Sequence, residues 1–421
     1  MIYDKKSLKM FYCDYLKNDL MRFWNKALDH EYGGIFTCYS NDGSKLLNTD
    51  KYVWSQGRAI WMLSRYVELI DKGLIGDTRQ MYMAHAQKTY EFIKKNAILN
   101  EKDGVCAYLL ERDGTKKESI PGKGYYTSFF VDCFVIMGFA ELARVSGEQE
   151  PLEKALHLYD RTRSYLERGE IVSEPYPIPD GYNSHSVPMI MCNVAFVLYD
   201  SLKAFGHSRY HQVVEDAKGY MDCILNYHYD EKTGLINEMV SADSPDDDTL
   251  MARQICPGHA IESMWFCAKV AGDTDAGREI YSKIAGVVKN CIKVGWDKEC
   301  GGLYRCVGKN GERPAGRESN LPYENLIKDT WDSKLWWIHS EALYCTLLCY
   351  DLTGDAEFID LYQKISKYVF NVFPNPDKDI GEWIQILDRR NKPLDKVVAL
   401  PVKDPYHIVR DVMQIIELLA K

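Results

Sequence analysis

Ionisable side chains recur at one position along this sequence. Arg58, His259 and His407 each stand about 25 residues after a glycine that opens a short apolar stretch, and Glu262 and Arg410 follow the two histidines. An imidazole gains and loses a proton near neutral pH, whereas a guanidinium keeps its charge and binds anions. The spacing therefore predicts an acid/base site in which histidines move protons and an arginine stabilises negative charge.

The segment around His259 carries the most specific signal. In Cys256-Pro257-Gly258-His259-Ala260-Ile261-Glu262 the histidine and the glutamate are three residues apart, so on a helix they share one face. A carboxylate placed there can orient the imidazole or hold its proton, and a purely structural histidine is the alternative. The second histidine or cysteine set of a metal site does not accompany this pair, so the sequence predicts no metal.

Aromatic residues surround the other candidates. Trp54 precedes Arg58, and Trp336 and Trp337 precede His339. Flat indole rings commonly stack on sugar rings, and packing in the protein core is the alternative for each. A buried Arg58 would need a substrate oxygen or a structural carboxylate as its partner.

A repeated unit must position these residues. A glycine-opened stretch followed by two segments with apolar residues at helical spacing recurs about every 70 residues. The openings begin at Gly33, Gly104, Gly234, Gly301 and Gly381, with a weaker sixth between Gly169 and Gly181. Residues 8–27 are the expected partner of the last helix, residues 407–419. Six helix pairs predict an all-α fold, an (α/α)6 barrel (toroid) with short β-hairpins in the loops at one end, and an open solenoid is the alternative.

Composition limits the class of protein. Residues 1–421 are expected to form a single domain, because the repeated units would share one core. The formal net charge of −9 argues against a nucleic-acid or anionic membrane partner. The 13 cysteines include no Cys-x-x-Cys spacing and indicate free thiols in a reducing compartment. We expect a cytoplasmic protein, because the first residues lack a secretory signal and no stretch approaches the roughly 20 apolar residues of a membrane span.

Blocks spread over nearly the whole chain share one resemblance. They are Tyr32-Gly33-Gly34, Asp50-Lys51-Tyr52-Val53-Trp54-Ser55-Gln56-Gly57-Arg58, Val187-Pro188-Met189 with Asn193, Pro257-Gly258-His259-Ala260-Ile261-Glu262, Lys334-Leu335-Trp336-Trp337 and His407-Ile408-Val409-Arg410. Together they resemble the N-acylglucosamine 2-epimerase family of sugar epimerases and isomerases, whose fold is an (α/α)6 barrel. The resemblance implies that His259 and His407 are the acid/base pair, that Arg58 binds the substrate near its reacting end, and that Glu262 is the supporting carboxylate. Further residues expected to bind the substrate are Trp54, Asn193, Glu238, Trp336, Trp337, His339 and Arg410.

The resemblance implies a sugar 2-epimerase. Pro257-Gly258, Val187-Pro188-Met189 and His339 favour the N-acyl-D-glucosamine branch over the cellobiose branch. An aldose–ketose isomerase acting on mannose and fructose, or a cellobiose or mannose 2-epimerase, is the near alternative. Alternatives of another class are an (α/α)6 glycoside hydrolase, which needs two carboxylates across a cleft, and a non-catalytic sugar-binding protein. We expect no required cofactor, ATP as an allosteric effector as in some members of this branch, and a homodimer.

Overall fold

The computed structural model describes residues 4–100, 104–242, 244, 247–272, 278–396 and 403–421. The chain divides into two compact units. The first unit comprises Lys6–Pro177, Val194–Val214 and Val402–Lys421, and the second comprises Met1–Lys5, Ile178–Asn193 and Glu215–Pro401. Arg58 and His407 therefore belong to the first unit, and His259 belongs to the second.

Helices dominate the described residues. In chain order they are α1 (Lys5–Tyr15), α2 (Met21–Lys26), α3 (Val53–Asp71), α4 (Arg79–Asn96), α5 (Phe130–Ser146), α6 (Gln149–Glu167), α7 (Ser186–Ala204), α8 (Tyr210–Asp222), α9 (Leu250–Arg253), α10 (Pro257–Gly272), α11 (Arg278–Gly295), α12 (Pro322–Thr330), α13 (Trp336–Thr353), α14 (Glu357–Val372) and α15 (Tyr406–Ala420). A π-helical turn, Leu16–Leu20, joins α1 to α2, and another, Cys223–Tyr227, extends α8. The predicted helix pairs are confirmed.

Each unit has its own helix packing. In the first unit α3 packs against α4 and α5, α5 packs against α6, and α15 packs against α3. The last helix also contacts the turn Leu16–Leu20, so the amino-terminal segment is its partner, as predicted. In the second unit α10 packs against α11 and α13, and α13 packs against α14. Helices α5 and α13 are capped at their carboxyl ends by Gly147 and Gly354, whose φ values of 78° and 71° favour glycine.

The predicted glycine openings are five copies of one tight hairpin. In each copy the glycine N–H donates to the carbonyl four residues earlier. The donor and acceptor residues are Gly33 and Asp29, Gly104 and Asn100, Gly234 and Asp230, Gly301 and Asp297, and Gly381 and Asp377. Their φ values lie between 63° and 89°, a region that side chains disfavour. The recurrence of glycine in the sequence thus has a backbone cause.

Short antiparallel strands connect the helices. Strands β1 (Lys51–Tyr52), β2 (Leu109–Leu110) and β3 (Lys116–Lys117) form a three-stranded sheet in that order. The other strands form two-stranded pairs: β4 (Tyr182–Ser184) with β7 (Met239–Ser241), β5 (Tyr229–Asp230) with β6 (Leu235–Ile236), β8 (Gln254–Ile255) with β9 (Val307–Gly308), and β10 (Lys334–Leu335) with β11 (Ile386–Leu387). Strands β1, β8 and β10 lead into α3, α10 and α13. These pairings therefore fix where the helices that carry candidate residues begin.

A buried lysine fixes the start of α3. The ammonium of Lys51 donates to Asp29 at 2.8 Å and to the carbonyl of Gly33 at 2.7 Å, and the side chains of Lys51 and Asp29 are fully buried. Arg112 donates to the same carboxylate at 3.1 Å. This cluster ties the first glycine hairpin to β1 and so positions Trp54, three residues after Lys51.

The second unit repeats this cluster at the start of α13. Lys334 donates to Asp297 at 3.1 Å and to the carbonyl of Gly302 at 3.4 Å, and Arg389 donates to Asp297 at 3.1 Å. Burial lowers the pKa of Lys334 to about 8, although Asp297 counteracts it. A buried ammonium needs a carboxylate partner, so the cluster sets the position of Trp337, three residues after Lys334.

Within the described residues, α7 is the helix that is long and apolar enough to cross a membrane, judged by length and composition alone. It has 19 residues, and 67% of its most apolar 18-residue stretch is buried inside the structure. Such burial is typical of a core helix in a folded protein. We describe α7 as a core helix, and it carries Asn193.

Candidate active site

The candidate site of the second unit centres on a hydrogen bond between His259 and Glu238. His259 is the third residue of α10, and Glu238 stands between β6 and β7. Nδ1 of His259 donates to Oε1 of Glu238 at 2.9 Å, and the side chains are 28% and 4% exposed. An ionised carboxylate only accepts hydrogen bonds, so Nδ1 carries the proton and Nε2 of the neutral ring is an acceptor. Within the described residues nothing hydrogen-bonds to Nε2, which leaves that atom for a ligand.

Glu238 controls the charge of His259. Burial acts to lower the pKa of His259, but the charge and hydrogen bond of Glu238 outweigh it and raise the pKa above its ordinary value of 6.5. Burial likewise acts to raise the pKa of Glu238, and His259 together with His185 holds that pKa well below its usual range. A histidine with a pKa near the working pH can both take up and return a proton.

Glu262 does not make the hydrogen bond expected of it, since the carboxylate that orients His259 is Glu238. Glu262 is 4% exposed, lies three residues further along α10, and acts to raise the pKa of His259 through its charge. One of its carboxylate oxygens lies within 4.8 Å of an oxygen of Glu341. Glu341 accepts a hydrogen bond from Nε1 of Trp265 at 2.8 Å. Glu262 therefore supports His259 electrostatically and not by direct orientation.

Trp337 lies over the ring of His259. The ring centroids are 5.1 Å apart and the planes are 29° from parallel. Gly258 permits this approach, because a Cβ atom there would lie 2.5 Å from Cζ3 of Trp337 and 2.6 Å from Cγ1 of Ile338. Trp337 is half-buried, whereas Trp336 is buried. The face of one indole thus stands beside the candidate base, and the neighbouring tryptophan packs inside the protein.

His185 contacts Glu238 as well, a relationship that the sequence did not reveal. The backbone N–H of His185 donates to the carbonyl of Glu238 at 2.9 Å, next to the pair Ser184 and Met239 of the β4 and β7 ladder. Nδ1 of the fully buried His185 lies 3.8 Å from Oε2 of Glu238. In the described part of the chain neither ring nitrogen of His185 has a hydrogen-bond partner. Strand pairing across more than 50 residues creates this contact, and sequence spacing carries no signal for it.

His339 has no ring nitrogen left for a ligand. Nδ1 donates to the carbonyl of Leu335 at 2.7 Å, and Nε2 accepts from the N–H of Leu303 at 2.8 Å. The side chain is fully buried and stacks on Tyr368, with ring centroids 5.3 Å apart. Burial lowers the pKa of His339 to about 3, so the ring is neutral near pH 7. These contacts assign a structural role to His339 in place of the predicted substrate contact.

Arg58 pairs with a carboxylate in the first unit. It donates to Oδ2 of Asp404, whose Oδ1 accepts the N–H of Tyr406 at 2.7 Å at the start of α15. The guanidinium carbon lies 4.0 Å from the ring centroid of Phe134, 4.8 Å from that of Tyr406 and 4.9 Å from that of Trp54. Of the two partners that the sequence left open for Arg58, the structural carboxylate is present and is Asp404.

His407 is held by Arg410. His407 is the second residue of α15 and is 8% exposed. Nη2 of Arg410 donates to Nδ1 of His407 at 3.2 Å, and Nε of Arg410 donates to Asp411 at 3.4 Å. A guanidinium cannot accept, so Nδ1 must accept and the proton of the neutral ring is on Nε2. Arg410, predicted to bind substrate, thus fixes the tautomer of His407.

The predicted residues occupy equivalent places at the beginnings of helices. Arg58 is the sixth residue of α3, His259 the third of α10, Trp337 the second of α13 and His407 the second of α15. Asn193 is the eighth residue of α7 and is buried, with 4% exposed. The structure brings His259, Glu238 and Trp337 together in the second unit, and Arg58 with Trp54 in the first.

Comparison with known proteins identifies the family. The sequence profile described as N-acylglucosamine 2-epimerase (GlcNAc 2-epimerase) matches residues 34–410. The chain belongs to the N-acylglucosamine 2-epimerase family. It is 28% identical to the N-acylglucosamine 2-epimerase of Bos taurus over 407 residues, which cover 95% of this chain and 88% of the bovine protein. It is 23% identical to the cellobiose 2-epimerase of Ruminococcus albus, over 95% of this chain and 96% of that protein.

Solved structures show the fold of this family member. A sugar epimerase from a ruminal bacterium matches with a TM-score of 0.76 at 20% identity, over 97% of this chain and 98% of that chain. A D-mannose isomerase matches with a TM-score of 0.75 at 17% identity, over 99% of this chain and 100% of that chain. The predicted all-α class, an (α/α)6 barrel, is confirmed.

Proposed function

We propose that this protein is a sugar 2-epimerase whose substrates are N-acetylglucosamine and N-acetylmannosamine. The observation that carries the proposal is the His259 and Glu238 pair, which supplies an acceptor nitrogen beside the indole of Trp337. The names of the relatives support the reaction class. The higher identity to the bovine N-acylglucosamine 2-epimerase, 28% against 23% for the cellobiose 2-epimerase, supports the substrate.

In the proposed reaction the sugar reacts as its ring-opened aldehyde, because only then does the C2 proton lie next to a carbonyl. One histidine takes the C2 proton, and the electron pair of the broken C–H bond moves towards O1 to give an enolate. Arg58 stabilises the charge on O1 with its fixed charge and donors. A second histidine gives a proton to the opposite face of C2, which yields the 2-epimer.

We assign these two roles to His259 and His407, without assigning which acts first on which epimer. Their surroundings support complementary behaviour. With both rings neutral, Nε2 of His259 is a proton acceptor because Nδ1 donates to Glu238. Nε2 of His407 carries a proton because Nδ1 accepts from Arg410. Nε2 of one ring is thus prepared to take a proton, and Nε2 of the other is a hydrogen-bond donor that gives up its proton when the ring is protonated to the imidazolium.

We further propose a cytoplasmic homodimer that needs no metal and no nicotinamide, with ATP as an allosteric effector. Proton transfer through two imidazoles requires no redox chemistry, which supports the absence of a required cofactor. The free thiols support a reducing compartment: the 13 cysteines all lie among the described residues, and there none of them forms a disulfide.

The proposal is tested by incubation with N-acetylglucosamine, N-acetylmannosamine, mannose, glucose and cellobiose in deuterated water, with and without ATP, followed by NMR. Deuterium at C2 of an aldose product is the expected result, strongest for the N-acetyl sugars. A ketose product would indicate an isomerase, cleavage a hydrolase, and binding without exchange a sugar-binding protein. His259→Asn and His407→Asn should each abolish C2 exchange, and exchange that survives in either variant refutes that residue's role.

A further inference from the structure

Two thiols stand next to the His259 and Glu238 pair. Strands β8 and β9 pair Gln254 with Gly308 and Ile255 with Val307, so the next residues in this antiparallel register are Cys256 and Cys306. The two thiols are close enough for each to shift the pKa of the other: Cys306 acts to raise the pKa of Cys256, and Cys256 acts to lower that of Cys306. The two cysteines are 50 residues apart in the sequence, so a search for Cys-x-x-Cys spacing does not find them.

The donor atoms around this thiol pair converge. A carboxylate oxygen of Glu238, Sγ of Cys256 and a ring nitrogen of His259 all lie within 4.8 Å of one another. In a tetrahedral zinc site, metal bonds of about 2.0–2.3 Å place neighbouring donor atoms about 3.3–3.8 Å apart. Small side-chain movements bring these three donors to such separations, and Cys306, which lies opposite Cys256 in the strand register, is the fourth donor of the proposed site.

The surroundings of the four donors suit a soft, dehydrated metal ion. Cys256 and Cys306 are 5% and 1% exposed, and Cys306 packs in an apolar cluster with Met239, Met251 and Ile327. The ring of His259, with a side chain 28% exposed, gives the entry path. Thiolate and imidazole donors select zinc over magnesium and calcium, which prefer oxygen ligands.

We propose that Glu238, Cys256, His259 and Cys306 form a binding site for a thiophilic divalent cation, Zn²⁺, and that the bound metal inhibits the enzyme. Each cysteine releases its thiol proton to solvent as its sulfur binds the metal. Nδ1 of His259 binds the metal in place of its hydrogen bond to Glu238, and the proton of the neutral ring then resides on Nε2. The acceptor lone pair that C2 deprotonation needs is lost. The inhibition rests on the proposed function, and the metal binding does not.

Metal binding is tested first, by equilibrium dialysis of the whole chain against Zn²⁺ with a phosphine reductant present to keep the thiols reduced. We expect one tightly bound zinc ion per chain. Loss of an outer partner of a metal ligand alone costs about 10- to 100-fold in affinity, so Cys256→Ser and Cys306→Ser should each weaken binding at least about 100-fold. Cys291→Ser is the matched control, because Cys291 is an equally buried free thiol of the same unit. Binding that is absent, or that both serine variants retain, overturns the site.

Spectroscopy and activity complete the test. Co²⁺ in this site should show thiolate charge-transfer absorption that weakens in Cys306→Ser, where Cys256 is the one remaining thiolate, and its absence in the unchanged chain overturns thiolate ligation. Zn²⁺ should stop C2 exchange, and a chelator should restore it, with each variant compared to its own metal-free rate. Recovery with a thiol reductant but not with a chelator would indicate a Cys256–Cys306 disulfide and overturn the inhibition by metal. A chain that binds zinc but acts on none of the sugars would refute the proposed function and leave the metal site standing.

Discussion

Nδ1 of His259 lies 2.9 Å from Oε1 of Glu238, and this contact joins the first turn of a helix to a loop residue 21 positions earlier in the chain. The buried carboxylate raises the pKa of the imidazole and fixes its tautomer. Both effects depend on the negative charge of Glu238. Replacement of Glu238 by glutamine, an uncharged side chain of the same shape, therefore removes the charge and keeps the packing.

Glu238→Gln should lower kcat/KM for C2 exchange and shift its pH dependence. A base acts when unprotonated, so activity rises with pH through the pKa of His259. Without the carboxylate that pKa falls, and the rise moves to lower pH. A lost charge-assisted hydrogen bond of about 1.5–3 kcal/mol corresponds to about a 10- to 100-fold decrease in kcat/KM. The measurement is the pH profile of kcat/KM, with Glu299→Gln, at an exposed glutamate, as the control. An unchanged profile would show that Glu238 does not tune His259.

Gly258→Ala should damage the site by displacing Trp337. The added Cβ would lie 2.5 Å from the indole, so the ring must move, and such overpacking costs about 1–3 kcal/mol. We expect a lower urea midpoint and a lower kcat/KM. The control is Gly286→Ala on α11, where a Cβ meets no atom within 4 Å and removal of a helical glycine stabilises by about 0.5–1 kcal/mol. Equal behaviour of the two variants would contradict the close approach of Trp337.

His339→Leu should reduce stability without changing KM. Two backbone groups, Leu335 C=O and Leu303 N–H, lose their partner, at about 1–3 kcal/mol each. The folded-state pKa of about 3 lies below the ordinary 6.5, so the unfolded chain binds the extra proton between these values. The stability that His339 contributes is complete above pH 6.5 and declines as the pH falls towards 3. The urea midpoints of the two proteins should therefore differ more at about pH 7.5 than at about pH 5. A raised KM with unchanged stability would instead support the prediction that His339 contacts the substrate.

Much of the fold and part of the site could be predicted from the sequence for one reason. Glycine hairpins and helical periodicity are local signals, so the helix starts that carry Arg58, His259 and His407 followed from the repeat. The partner of each functional group is non-local. Glu238 reaches His259 and His185 through strand pairing, and Asp404 reaches Arg58 from the other end of the chain. Contacts of this kind leave no spacing in the sequence.

The same limit explains His339. Two tryptophans before a histidine suggested a sugar-binding surface. Helix α13 has no distinct polar face, so its sequence did not show which of its first residues are buried and which are half-buried. Only Trp337 is half-buried among these three residues, whereas Trp336 and His339 are buried. A helix without a polar face gives no sign of which residues point towards a ligand.

Arg58→Lys tests whether Arg58 acts on substrate or only pairs with Asp404. A lysine keeps the charge but loses the planar fork, and loss of one donor to a developing oxyanion costs about 10²- to 10³-fold in kcat. We expect that loss with a small change in urea midpoint. Asp404→Asn keeps the guanidinium and removes its partner, so it should lower the midpoint more and kcat less. If the two variants lower both quantities in parallel, Arg58 has only a structural role.

The two buried lysine clusters predict a matched pair of stability losses. Asp29→Asn leaves Lys51 without its carboxylate, and Asp297→Asn does the same to Lys334, in side-chain pairs that are fully buried. Removal of one partner of a buried ion pair costs about 3–5 kcal/mol. Asp355→Asn is the control, because Asp355 is 44% exposed where it pairs with Lys289, and such surface pairs contribute at most about 1 kcal/mol. Urea unfolding of the three variants makes the comparison. A small loss for either buried variant would mean that the lysine finds another acceptor, such as the glycine carbonyl that it already contacts, and that the cluster does not fix the helix start.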